Sequence, residues 1–362
     1  MSERFALSAL LSQALVAFVI ELDNTFEERM PHRTARLGLR GGPPDAPWLA
    51  SMAMWANCMR YVDEAGTTVT ELAARARMST NFDGMRRWGY VTLDGHGRGD
   101  RVQRVRKDTL IRPTPAGLQA QVIWAPLPAE IETRWETRFG GDAMPTLRAA
   151  LGDLVGRLSP DLPDFPPILG YGLTARREAP APAATEVVSE LPLFALLSRP
   201  LVAFADEFDA ASPVSMAMTV DVLRVIDEAA VAVRELPRLT GVASELIAVG
   251  LSWLAKRGFV AVVTVDRTKL VRLTAAGVAA RRRALDRVRE VESSWRDRYG
   301  EGTIGAIRGA LEPLVGDGTA ASSPLFLGLT PPADGWRASY PMLPTLPQFP
   351  MVTHRGGYPD GS

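Results

Sequence analysis

The residues that would do chemistry here are cations. Arg98, Arg101, Arg104, Arg106 and Lys107 fall within ten positions of "DGHGRGDRVQRVRKD", residues 94–108. Arg267, Lys269 and Arg272 fall within "DRTKLVRLT", residues 266–274. Alternating, turn-bounded runs of this kind predict β-hairpins. Arg and Lys held outward on a hairpin have the chemistry to neutralise phosphates. Taken singly, each of these side chains reads as a solvated surface charge. Grouped on one hairpin, they stand evenly between that reading and a phosphate contact. Polar residues ahead of each hairpin join the candidate set: Ser79, Thr80, Asn81, Arg86 and Arg87 before the first, Ser244 and Lys256 before the second.

Enzymatic chemistry finds no comparable footing. The chain lacks a Gly-rich phosphate loop between strand and helix, a G-x-S-x-G elbow and an H-E-x-x-H motif. "GHGRG" at 95–99 lies inside the first hairpin. Asp63–Glu64 and Asp227–Glu228 sit at helix ends and read as surface charges. One cysteine, Cys58, and three scattered histidines, His32, His96 and His354, offer no spaced metal-ligand set. They also exclude an internal disulfide framework, so a reducing cytoplasm is the expected compartment and no cofactor is expected. Forty-one basic residues balance 41 acidic ones. Attraction to nucleic acid must therefore come from local patches.

The elements that position these cations occur twice. "LLSQALVAFVIELD" at 10–23 returns as "LLSRPLVAFADEFD" at 196–209, with nine of fourteen positions identical. A secretion signal has no reason to recur mid-chain, so the apolar N-terminus is a core helix rather than a signal. No other apolar run is long enough to cross a membrane, and no membrane partner is expected. The copies continue in order: "SMAM" at 51–54 and 215–218, "RRWGYV" at 86–91 and "AKRGFV" at 255–260, "LIRPTPAGLQAQ" at 110–121 and "LVRLTAAGVAAR" at 270–281, "WETRFGGDAMPTLRAALGDLVG" at 135–156 and "WRDRYGEGTIGAIRGALEPLVG" at 295–316. This is duplication of a whole domain. The expected units are repeat 1 at 1–172, a linker at 173–192 rich in Ala and Pro, repeat 2 at 193–316, and a Pro/Gly-rich tail at 317–362 that packs on the helices. "LPDFPPILGYG" at 162–172 echoes "LPQFPMVTHRGGYP" at 346–359, and both are expected to lie extended over helical surfaces.

Repeat 2 predicts helices at 193–209 and from about 215 to 232, then helix, tight turn at Thr240–Gly241, and helix. A hairpin turning at Asp266–Arg267 follows, then helices at 275–299 and 301–315. The order, with "LAKRGFV" entering the hairpin and "LVRLTAAG" leaving it after Asp266 and Arg267, resembles the MarR family of winged helix-turn-helix transcription regulators. The resemblance covers most of repeat 2 and, more weakly, repeat 1. It implies a mainly α fold with small β-hairpin wings. The two tandem winged-helix domains would form an intrachain pseudo-dimer through helices 5–22, 115–138, 193–209 and 275–299. It implies double-stranded DNA as partner and a small-molecule effector between the helical and winged layers.

Two departures qualify what the resemblance implies. The reading helix of repeat 1 is about five residues shorter than that of repeat 2, and that of repeat 2 is unusually apolar. Leu246, Val249 and Trp253 share one face of it, which predicts a cover: the tail through Phe349, Met351 and Tyr358, the inserted loop at 31–47, or a protein partner on this third helix. A winged-helix scaffold that has lost sequence-specific DNA binding and docks a protein is therefore the alternative. Trp124, Trp135 and Trp295 are expected in the core or lining a pocket. His354 and Arg355, the polar features of the tail, read as loop surface.

Overall fold

The computed structural model describes residues 5–35, 41–80, 82–96, 105–167, 187–340 and 344–349. The protein is mainly helical with two small antiparallel sheets, each of three strands. The first half runs α1 (Leu7–Arg29), α2 (Met52–Asn57), β1 (Thr67–Thr68), α3 (Val69–Ala76), α4 (Phe82–Trp88), β2 (Val91–Leu93), β3 (Leu110–Pro113), α5 (Pro115–Trp124), α6 (Leu127–Phe139) and α7 (Ala143–Val155). The second half repeats that order as α8 (Leu193–Asp209), α9 (Met216–Val225), β4 (Val231–Ala232), α10 (Leu236–Thr240), α11 (Ser244–Lys256), β5 (Val260–Val265), β6 (Thr268–Leu273), α12 (Ala275–Tyr299) and α13 (Glu301–Val315).

Three expectations need correction. The helix expected over 115–138 is two helices, α5 and α6, because "WAPLP" places Pro126 and Pro128 at the break, and a proline removes a ladder donor. The corresponding α12 has no proline there and runs unbroken for 25 residues. The second helix of the second half stops at Val225 rather than near 232, where β4 begins and pairs with β6. The first helix runs to Arg29, two turns beyond the expected end.

Each hairpin passes into its helix by the same device. The Thr114 hydroxyl donates to the Gly89 carbonyl at 2.7 Å and accepts from Gly117 N at 3.0 Å. Thr274 donates to Gly258 O at 2.6 Å and accepts from Gly277 N at 3.0 Å. The glycine is required by contact: a Cβ on Gly117 or Gly277 would lie 2.1 Å from Tyr90 O or 1.9 Å from Phe259 O. The cap and the close approach together orient hairpin and helix.

The halves embrace reciprocally. α1 packs on α8 and α7 on α13, while α1 also meets α13 and α8 meets α7. Glu132 of the first half accepts from Leu193 N at 2.7 Å, and its partner Arg148 donates to Leu191 O at 2.5 Å. Glu292 of the second half accepts from Leu7 N at 2.9 Å, and its partner Arg308 donates to Phe5 O at 2.7 Å. The two Arg–Glu bonds are both 2.8 Å. Each clamp thus caps the first helix of the opposite half, whose leading N–H groups have no intrahelical acceptor. An aromatic pair repeats within each half. Trp135 meets Phe18 edge-on at 5.5 Å, and Trp295 meets Phe204 at 5.3 Å.

α1 is the one described helix with the length and apolarity of a membrane span. It is enclosed on all sides by the other elements, and every residue from Leu7 to Glu27 is buried.

Candidate nucleic-acid interface and the clefts behind it

In each half a helix, a tight turn and a second helix precede the hairpin. The turn takes a left-handed backbone in both: Arg77 has φ 56° and Gly241 has φ 76°. The hairpin of the second half pairs β5 with β6 over six residues and turns at Asp266 and Arg267, whose φ values are 46° and 64°. Two successive positive φ values match the right-handed twist of the flanking strands. They cost strain in residues other than glycine and fix Arg267 at the tip.

The predicted cations divide by exposure. Lys256, Arg267, Lys269 and Arg272 are exposed or half-exposed, as are Ser244 and Ser79. Lys107 and Arg106 are exposed on the first hairpin, and Arg106 pairs with Asp108 at 2.7 Å. Arg87 is exposed and pairs with Asp83 at 3.3 Å. Thr80 and Arg86 turn inward and do not join an accessible face. Thr80 is 6% exposed and hydrogen-bonds Cys58; Arg86 is 2% exposed and donates to Asp83 at 2.9 Å. Asn81, Arg98, Arg101 and Arg104 lie outside the described residues.

The apolar face of α11 is covered differently from the expectation. Leu246 is buried, while Val249 and Trp253 are half-buried against the core. Trp253 carries the Arg257 guanidinium 3.6 Å above its ring. The tail instead crosses the turn before α11: a Cβ on Gly241 would lie 2.5 Å from Thr345 O. Met351, Tyr358, His354 and Arg355 lie outside the described residues.

The two Leu-Pro-x-Phe segments act as matching straps. Leu162 and Phe165 are buried in one, Leu346 and Phe349 in the other. The first strap accepts from Asn57 Nδ2 on α2 at Pro166 O, and its Asp164 pairs with Arg199 on α8. The second donates Gln348 N and Phe349 N to Asp221 on α9, and accepts from Ser12 on α1 at Pro347 O. Each strap therefore ties its own half to the first helix of the other. Asp164 also contacts Arg60 and Arg77. Burial opposes its charge, but the arginines outweigh burial and hold the carboxyl below its ordinary value. Asp221 is raised, because burial there outweighs Arg224 and two backbone donors. Sequence reading missed this charged cluster; the echo between the two segments was its only signal.

Behind the hairpin unit of the second half lies an open cleft of about 480 Å³ between α9, α12 and the entry to α1. Its apolar wall includes Val220, Leu223, Ala284, Leu285 and Val288, and its polar wall includes Arg224, Arg281, Arg289, Arg296, Arg308 and Glu292. Most of these arginines pair with carboxylates: Arg224 with Asp221, Arg289 with Asp286, Arg296 with Glu292 and Glu301, Arg308 with Glu292 and Glu312. Arg281 donates to the Ile226 carbonyl at 2.6 Å, and no carboxylate pairs with it among the described residues. A second cleft of about 580 Å³ lies in the first half, between the inserted loop at Pro43–Pro47, Arg86 and the hairpin.

Among the described residues no group of His, Cys, Asp or Glu is arranged to hold a metal ion. Comparisons with protein-family models, with curated proteins and with solved structures found no match to this chain.

Proposed function

We propose that this chain is a DNA-binding transcription regulator of MarR-like type, in which two tandem winged-helix units form a pseudo-dimer within one polypeptide. The observation that carries the reading is the reciprocity of the two clamps. Glu132 with Arg148 and Glu292 with Arg308 each cap the opposite half, so two like units are held in one fixed relation. Two such units sit on a duplex as a dimer sits on two half-sites. The grip comes from the wings: Arg106 and Lys107 on one, Arg267, Lys269 and Arg272 on the other, with Lys256, Ser244, Arg87 and Ser79 at the helix ends. Phosphate contacts of this kind position the protein and carry no sequence information. Base reading by α11 is restricted, since its central face is apolar and half-buried.

A small anion with an apolar body, seated in the cleft between α9 and α12, would shift one unit against the other. This chemistry would run in the cytoplasm and needs no cofactor. The test is replacement of Arg267, Lys269 and Arg272 together by Ala, in gel-shift titrations of unrelated duplexes. Affinity should fall for every duplex alike, and the salt dependence should flatten by roughly one unit of slope for each phosphate no longer neutralised. Unchanged affinity and slope would remove this wing from the mechanism.

One observation favours a second reading, a scaffold that docks a protein. Val262, Val263 and Val265 on the β5 edge strand are 43–50% exposed, an apolar wing surface unlike a phosphate grip. On that reading duplex DNA binds no more tightly than a neutral control polymer.

A further inference from the structure

We propose that the chain holds one ligand site rather than two: the cleft of the second half takes a single anion with an apolar body, and the equivalent cleft of the first half is plugged by the protein's own aromatic side chains. This deepens the effector step of the regulator reading.

The two clefts differ at aligned positions. Ala284 on the cleft wall corresponds to Trp124, and Ser8 corresponds to Phe194. Both aromatic residues are 0% exposed. Trp124 stacks on Phe26 at 3.6 Å with nearly parallel rings, and lies 6.3 Å from Trp55. Phe194 lies edge-on to Trp55 at 6.1 Å. The corresponding position to Trp55 is Thr219, and Phe26 belongs to the two turns by which α1 outlasts α8. The space that is empty in one half is thus filled in the other by a cluster drawn from α1, α2, α5 and α8.

The charges differ in the same sense. Arg281 corresponds to Gln121, which donates to the Met59 and Val62 carbonyls at 2.8 and 2.7 Å. Arg281 keeps the equivalent bond, to Ile226 O, and adds a charge that no carboxylate among the described residues neutralises. Gln348 on the open cleft corresponds to Asp164, which satisfies Arg60, Arg77 and Arg199 in the closed one. Among the described residues, the second half alone offers at this position both an apolar wall and an unneutralised cation. A ligand there touches α9 and α12 of its own unit and the entry to α1 of the other, so it bears on the contact between the two units.

The experiment is a titration of the full-length chain, without DNA, with 1-anilinonaphthalene-8-sulfonate and with the uncharged N-phenyl-1-naphthylamine, read by fluorescence and calorimetry. The sulfonate should bind once per chain. Arg281→Gln, which installs the residue the first half already uses, should weaken the sulfonate about tenfold to a hundredfold through removal of a charge-assisted bond, and leave the neutral probe unchanged. Ala284→Trp should abolish both. Two equivalent sites, no site, equal weakening of the two probes in Arg281→Gln, or full binding in Ala284→Trp would each overturn the proposal. DNA binding is absent from the assay, so a failed regulator reading and a failed site are told apart.

Discussion

The two halves share an element order, a pair of clamps and a pair of straps, yet differ where α5 and α6 stand against α12. In the first half the long helix breaks beside Trp124, and aromatic rings fill the space behind the hairpin unit. In the second half the helix is continuous, Ala284 stands where Trp124 would be, and the space is open. A duplicated scaffold tolerates this because helix-on-helix packing, α1 on α8 and α7 on α13, holds the halves together. The clamps at the helix entries, Leu7 and Leu193, add to it, and the one built by Glu292 and Arg308 borders the open cleft. Identity of fold therefore coexists with divergence of site.

The largest expected effect breaks that comparison directly. Trp124→Ala should cost about 3–5 kcal/mol, the usual range for emptying a buried aromatic site. Ala284→Trp should cost less, about 1–2 kcal/mol, because Ala284 is buried but its open cleft receives most of the ring. Urea denaturation of both variants measures this, and similar costs would mean that the cleft of the second half is not open in solution.

The clamps should differ in strength though not in geometry. The Arg308 and Glu292 side chains are 9% and 11% exposed, and those of Arg148 and Glu132 are 34% and 17%. Arg308→Ala leaves the buried Glu292 with the half-exposed Arg296 alone, so it should cost up to about 3 kcal/mol. The more hydrated Arg148→Ala should cost about 1 kcal/mol. The reverse order, measured by denaturation, would contradict the burial-based ranking.

A smaller difference is set by pH. Asp23 and Asp209 cap α2 and α9, accepting from Met52 N at 2.6 Å and Met216 N at 2.7 Å. Burial pushes the Asp23 carboxyl up to about 7, only partly offset by Arg337 of the tail. The folded chain then keeps a proton that the unfolded chain releases near 3.8. Stability from this group is full below about pH 4 and declines as pH rises toward 7. Asp23→Asn should flatten that decline by up to about 1 kcal/mol per pH unit. An unchanged slope would show that the carboxyl ionises normally.

The smallest expected effect is at Cys58, which aligns with Val222. Burial pushes its thiol up to about 12, so it should resist thiol reagents until the chain unfolds. Cys58→Val should shift stability by less than about 1 kcal/mol. Rapid labelling of the native chain would contradict its burial.

Much of the scaffold is legible in the residues. The helices at 193–209, 275–299 and 301–315 and the turn at Asp266–Arg267 match their structural bounds, because apolar periodicity and turn chemistry are strong there. The pairing of the halves follows from repetition of the terminal helices. The break after Trp124 was hidden because the expectation carried the unbroken helix of repeat 2 across Pro126. The short strands β1 and β4 were hidden because two residues carry no alternation. The cleft and its plug were least legible: they depend on Phe26 and Phe194, far apart in the chain, meeting Trp55 and Trp124. Thr80 and Arg86 show the converse error, since polarity alone does not tell an inward-facing group from a contact surface.

The most direct test of the account is a titration of the intact chain with a fluorescently labelled duplex across a series of salt concentrations. On the proposed function, two units held in fixed relation should give one chain per duplex. The logarithm of the binding constant should fall linearly with the logarithm of salt, by about 0.9 unit for each phosphate neutralised. Absence of binding at low salt, or binding indifferent to salt, would contradict it.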